Sequence, residues 1–153
     1  MKLSLSADHR GASTARQLAD RLRTLGHEVV MLGDLTGDAS DYPIPAHQVA
    51  KSVSSGETQK GLLICGTGIG MCIAANKVRG VRAAIAHDEL TAAISRSHND
   101  ANVLCLSADL LGQRLIEKIV EVWLSTPFQG GRHERRLREI AAIEDGKDPR
   151  QAE

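Results

Sequence analysis

Short apolar runs alternate with longer amphipathic stretches along this chain, a pattern that parallel strands covered by helices produce. Residues 3–7, Leu-Ser-Leu-Ser-Ala, predict a first strand. Ala15, Leu18, Ala19, Leu22 and Leu25 recur at helical spacing and predict a helix over 12–25, which Gly26 ends. Residues 28–32 predict a second strand, followed by a Gly/Asp-rich loop over 33–41 and a Pro-initiated helix over about 44–55. The unbroken apolar run 61–65 predicts a central strand buried on both faces. A turn and a helix over about 71–77 follow, then a strand over 81–86, a helix over 89–97, a strand over 102–106 and a helix over about 110–124. Past Pro127, Gly130-Gly131 interrupts the pattern. The charged helix predicted from Arg132 to about Glu144 has only a thin apolar stripe, Leu137, Ile140 and Ile143, and needs a surface to dock on. The expected fold is α/β: one domain over residues 1–145, a three-layer αβα sandwich around a Rossmann-like five-stranded parallel sheet, with a flexible tail over 146–153.

Composition narrows the function. A chain of 153 residues, 42% hydrophobic and 25% charged, fits one globular domain. Lys plus Arg and Asp plus Glu number 19 each, so no global field draws nucleic acid or a membrane surface, and any anion binding must be local. No apolar run approaches the roughly 20 residues of a membrane span, and the start reads as folded sequence without a cleavable signal; a cytoplasmic location is expected. Cys65, Cys72 and Cys105 are an odd number without the close pairs of a structural zinc site. Free thiols, no metal and no cofactor are expected.

The segment Cys65-Gly66-Thr67-Gly68-Ile69-Gly70 ends the central strand in a glycine-rich turn. Gly66, Gly68 and Gly70 permit close backbone approach, and the following helix start offers unpaired N–H groups to an anion. The same glycines also suit plain helix–strand packing. Cys65 stands at the carboxyl end of a strand, where open α/β sheets carry their chemistry, and neighbouring amide dipoles favour a thiolate able to take a carbon-bound proton. Its other reading is a small buried hydrophobe, the reading that Cys72 and Cys105 receive. Asp8-His9-Arg10-Gly11 follows the first strand and should open on the same edge. Asp8 can handle hydroxyl protons or merely cap a helix, and His9 can bind phosphate. His98-Asn99-Asp100 precedes the fifth strand and so falls at the opposite edge, unless the loop bends or a second subunit brings it to Cys65. Arg132 and Arg136 lie four apart, able to grip one phosphate or to form a solvated face.

Taken together, Asp8-His9-x-Gly11, Asp41-Tyr42-Pro43, Cys65 to Gly70, Ala74-Ala75-Asn76-Lys77, His98-Asn99-Asp100-x-Asn102 and Gly130-Gly131-Arg132-His133-x-x-Arg136 resemble the type B ribose-5-phosphate isomerase and galactose-6-phosphate isomerase subunit family, over residues 3 to about 144. The resemblance implies a metal-free aldose–ketose isomerase that opens a cyclic sugar phosphate and moves a proton between C1 and C2 through an enediolate. It makes Cys65 the base, Thr67 and His98 helpers in ring opening, and Asn99 with the Gly66 to Gly70 amides the enediolate ligands. Asp8 and Tyr42 become substrate-facing, and His9, Arg132 and Arg136 phosphate ligands. It further implies a homodimer with shared sites and the last helix at the interface, leaving association into a tetramer open. One position departs: Ser107-Ala108-Asp109 stands where many members have a phosphate-binding arginine at the third place. An acid there is unfavourable beside phosphate, so Asp109 is expected to point away, bind a hydroxyl or change the preferred sugar. Ribose 5-phosphate is the expected substrate, with allose, galactose or tetrulose phosphates, or a noncatalytic phosphate-binding role, as alternatives.

Overall fold

The computed structural model describes residues 1–152. Five strands, β1 (Lys2–Ala7), β2 (Glu28–Met31), β3 (Lys60–Cys65), β4 (Ala83–Ile85) and β5 (Val103–Ser107), form one parallel sheet in the order β2-β1-β3-β5-β4. The helices are α1 (Ala12–Thr24), α2 (Pro43–Ser54), α3 (Ile69–Ala75), α4 (Glu89–Ser97), α5 (Gln113–Ser125) and α6 (Arg132–Glu144), followed by a 3₁₀ turn over Pro149–Gln151.

Strand side chains alternate between two cores. Leu62, Ile64, Leu104 and Leu106 meet Leu18 and Leu22 of α1 and Ile116, Ile119 and Trp123 of α5, with Ala92 of α4 in the same core. Leu63, Cys65, Val103 and Cys105 point the other way, onto Val49 and Val53 of α2 and Met71 and Ala75 of α3. The three layers follow from this alternation, because a strand buried on both faces must be covered on both. Connections that step toward β2 run through α1 and α4, and those that step toward β4 through α2 and α3, as right-handed crossovers require. The chain therefore leaves β1 on one face and β3 on the other, and their carboxyl ends open a crevice at the point where the winding reverses.

Most element boundaries fall within two or three residues of those predicted, and the shifts have local causes. The fourth strand shortens from 81–86 to Ala83–Ile85 because Asn102 Oδ1 takes the Arg82 N–H at 2.8 Å and Asn76 Oδ1 takes that of Ala83 at 2.9 Å. The helix expected over 71–77 begins at Ile69, behind Gly68 at φ +81°, and ends at Ala75. The helix expected from residue 110 begins only at Gln113, since the Leu110 N–H is held by Ser107 Oγ at 3.0 Å. α6 is the least attached helix. Its ties to the rest are His133 stacked on His98, Glu144 Oε1 accepting from the Gly80 N–H at 2.8 Å and an ion pair between Arg79 and Asp145 just beyond its end. Ile140 and Ile143 of its stripe stay 45% and 61% exposed, so the docking surface the sequence calls for is not supplied by its own chain. The final turn folds back on α6, with the Lys147 N–H on Ala142 O at 2.8 Å.

Candidate active site

At the carboxyl edge, β3 delivers Cys65, 4% exposed, into the crevice beside β1. The chain then turns through Gly66 to Gly68 so tightly that the Gly68 N–H donates to Cys65 Sγ at 3.1 Å. Gly68 needs its left-handed backbone for this turn, and a side chain there would meet Leu106 O at 3.2 Å. Thr67 Oγ1, exposed on the loop, accepts the Ile69 N–H at 3.3 Å.

Asp8, the residue after β1, is 6% exposed, and its Oδ1 accepts the N–H groups of Arg10 at 3.0 Å and Gly11 at 3.1 Å. These bonds close a turn ahead of α1, whose N-cap is Gly11 without a side-chain cap, so Asp8 is not the helix cap that one of its two readings made it; its carboxylate sits on the edge that holds Cys65. Gly11 can follow only because it lacks a side chain, since a Cβ would stand 2.4 Å from Ile64 O of β3. His9 is exposed, with Nδ1 3.4 Å from Ser40 O. Tyr42, at the start of α2, lays its ring over Gly70, where a Cβ would approach Cε2 to 2.6 Å. Asp8, His9, Tyr42, Cys65, Gly66, Thr67, Gly68 and Gly70 are thus gathered at one edge.

Asp109 lies on this edge too, and it does not stand alone. Arg10 Nε donates to Asp109 Oδ2 at 2.9 Å and Oδ1 at 3.2 Å, and Nη2 reaches Oδ2 at 2.8 Å. The Asp109 N–H in turn donates to Gly66 O at 3.0 Å, fixing the end of β5 to the glycine turn. Sequence reasoning singled out Asp109 and passed over Arg10. The available signal was a second unusual charge in the loop beside His9.

The remaining predicted residues fall at the opposite edge, as the order of elements requires. His98 caps the end of α4, Asn99 is exposed beside it, and Asp100 adopts φ +44°. Asp100 is clamped by Arg96 Nη1 at 2.7 Å and Arg82 Nη2 at 2.9 Å, while Arg82 Nε also donates to Asn99 O at 3.2 Å. The Gln129 N–H on Ser97 O, at 3.0 Å, brings the start of α6 to the same place. There the His98 and His133 rings stack with centroids 4.1 Å apart and planes at 11°. His133 is 5% exposed and was not among the predicted site residues. Burial first, then His98, Arg132 and Arg136, hold its proton affinity below the ordinary histidine value. Arg132 and Arg136 are exposed on the first turns of α6.

A groove of ≈ 420 Å³ between β4 and α6 is lined by Arg82, Asn99, Ile140 and Ile143 and does not include Cys65. Among the described residues no three His, Cys, Asp or Glu side chains are grouped to hold a metal ion, and no helix is long and apolar enough to cross a membrane.

Residues 3–140 match the family model described as Ribose/Galactose Isomerase. The Escherichia coli ribose-5-phosphate isomerase B is 40% identical over 147 residues, which cover 96% of this chain and 99% of that protein. The Clostridium thermocellum ribose-5-phosphate isomerase B superposes with a TM-score of 0.94 at 44% identity, covering 95% of this chain and 99% of that one. The Mycoplasma genitalium ribose-5-phosphate isomerase B, solved with bound ribulose-5-phosphate, superposes with a TM-score of 0.90 at 42% identity, covering 94% of this chain and 96% of that one.

Proposed function

This chain belongs to the ribose/galactose isomerase family, and from that premise we propose that it is a metal-independent aldose–ketose isomerase of a phosphorylated sugar, interconverting ribose 5-phosphate and ribulose 5-phosphate. The observation that carries the reading is Cys65 Sγ held by the Gly68 N–H at the carboxyl edge, next to the buried carboxylate of Asp8. After ring opening, assisted by Thr67 Oγ1 and His98, the Cys65 thiolate takes the proton from C2 of the aldose. The electron pair left behind forms the C1–C2 double bond of an enediolate, and the thiol returns the proton to C1. N–H groups between Gly66 and Gly70, with Asn99, hold the developing oxyanion, a contact stronger in the transition state than in the substrate. Asp8 exchanges the hydroxyl proton, Tyr42 lines the sugar, and His9, Arg132 and Arg136 bind the phosphate.

One chain presents these groups at two opposite edges, so the proposal includes a homodimer in which His98, Asn99, Arg132 and Arg136 of a second copy complete each site. The exposed apolar side chains Ile69, Ile73, Leu90, Ile94, Ile140 and Ile143 support an interface, as do the weak ties of α6 to its own chain. Three free cysteines suit the reducing cytoplasm. The domain proper spans residues 1–145.

Asp109 at the site favours a second reading, in which a four- or six-carbon sugar phosphate is preferred over ribose 5-phosphate. Coupled assays of the purified protein with four-, five- and six-carbon aldose phosphates, before and after exhaustive chelation, decide both points. Turnover that survives chelation is expected, and the ranking of kcat/KM identifies the sugar. Binding of sugar phosphates without turnover, or activity restored only by one divalent ion, would overturn the proposal.

A further inference from the structure

The ion pair between Arg10 and Asp109 joins residues far apart in sequence, from the loop after β1 and the loop after β5, directly above Gly66, the residue that follows β3. It packs on backbone rather than on side chains. A Cβ placed on Gly66 would lie 2.8 Å from Asp109 Oδ2 and 3.1 Å from both Cδ and Nε of Arg10. Asp109 is anchored there independently of Arg10, by its own N–H on Gly66 O and by the neighbouring Ala108 N–H on Cys65 O at 2.9 Å. The carboxylate is thus a fixed platform, and the guanidinium lies against it through Nε and Nη2. No contact within the chain uses Nη1 among the described residues, and the Arg10 side chain is 55% exposed. Its charge is secured by Asp109 first and by Asp8 further off.

An ion pair this exposed contributes little to folding. What it does provide is a guanidinium in one orientation, with Nη1 donors free, above the turn that holds the thiol. A planar fork of N–H donors matches a phosphate better than a single hydroxyl. We infer that Arg10 is a further substrate-binding residue of this enzyme, contacting the phosphate of the sugar, and that Asp109 is the residue that positions it. The inference rests on the isomerase reading. It changes the meaning of Asp109, which acts through Arg10 and meets the substrate as an unpaired charge only when Arg10 is removed.

The test compares Arg10→Ala, Asp109→Ala and the double variant, reading KM and kcat for the best sugar phosphate and the competitive Ki of inorganic phosphate. Arg10→Ala should raise KM and the phosphate Ki together, by ~10-fold or more, with kcat within ~3-fold and the melting temperature unmoved. Asp109→Ala should raise both less, because the guanidinium remains but loses its orientation. Removing Asp109 in the Arg10→Ala background should lower both constants by ~3-fold or more relative to Arg10→Ala alone, since the unpaired carboxylate facing the phosphate is gone. Unchanged KM and Ki in Arg10→Ala would overturn the inference, as would a loss confined to kcat or a double variant no better than Arg10→Ala. Should the wild type turn over no sugar phosphate, the isomerase reading fails on its own. Calorimetric titration with inorganic phosphate then still decides the role of Arg10, with wild type expected to bind tightest and Arg10→Ala weakest.

Discussion

The two edges of the sheet carry chemistry on different kinds of support. At the carboxyl edge, Asp8 and Cys65 are placed by strand ends and held by main-chain N–H groups of Arg10, Gly11 and Gly68. At the opposite edge, His98 and His133 lean on each other, and the loop that carries His98 is fixed by side-chain ion pairs from Arg82 and Arg96 to Asp100. Backbone contacts cost little reorganisation when charge develops, which suits the proton transfer proposed for this edge. A cluster on the first turns of a weakly attached helix suits the proposed homodimer, in which these groups would meet the substrate across an interface. Under the proposed homodimer, the contrast would make the first edge a preassembled half-site and the second one dependent on assembly.

The largest effect expected comes from disabling each edge separately. Cys65→Ala and His98→Ala should each lower kcat/KM by ~100-fold or more while keeping the fold. Unfolding the two variants together and refolding the mixture should restore about a quarter of wild-type activity, because half of randomly formed dimers are mixed and each mixed dimer holds one intact site. A mixture no more active than its parents would show that each site is built within one chain. More than about a tenth of wild-type turnover in Cys65→Ala alone, a barrier change under ~1.4 kcal/mol, would remove the thiol from the reaction.

A smaller effect concerns His133. Its proton affinity is lowered chiefly by burial and next by His98, Arg132 and Arg136. The unfolded chain therefore takes up this proton first as pH falls below the ordinary value of 6.5, and the folded state loses stability down to the lowered value. His133→Phe keeps a ring against His98 and removes the titration. Its melting temperature should fall less steeply than that of wild type between pH 7 and pH 5, a difference of a few degrees. Parallel slopes would mean that the stack is not coupled to protonation.

The least effect is expected at a residue with no role in the proposed reaction, close to the Arg82 and Arg96 clamp on Asp100. Lys60 begins β3 with Nζ 5.1 Å from the Trp123 ring centroid, and burial first, then Arg96, lowers its pKa to about 8. The unfolded side chain keeps its proton up to 10.5, so the destabilisation is complete below about 8 and stability rises as pH climbs from 8 to 10.5. Lys60→Met should raise the melting temperature at pH 7 by about 2 °C, a modest shift because the ammonium is only half withdrawn from water and loses a cation–π contact. That gain should vanish near pH 10.5. A gain independent of pH would trace to packing rather than charge.

Much of this protein was legible in the sequence because the relevant information is local. Apolar periods of two and 3.6 residues mark the strands and helices, and the glycine turn after Cys65 announces where the sheet opens. Even the separation of His98 from Cys65 could be read, since a residue before a parallel strand and one after it must lie at opposite edges. The sheet order could not be read. Which strands pair depends on burial summed over distant segments, and only the structure puts β5 beside β3 and leaves β4 at the margin. His133 was given no role because its partner, His98, lies at the end of another helix. Arg10 and Asp109 illustrate the limit most sharply. Each looks misplaced when read along the chain, one an unassigned cation and the other an acid where an anion should bind. The tertiary structure sets them 2.8 Å apart over Gly66, because β1 and β5 flank β3 and a residue without a Cβ leaves room for the pair.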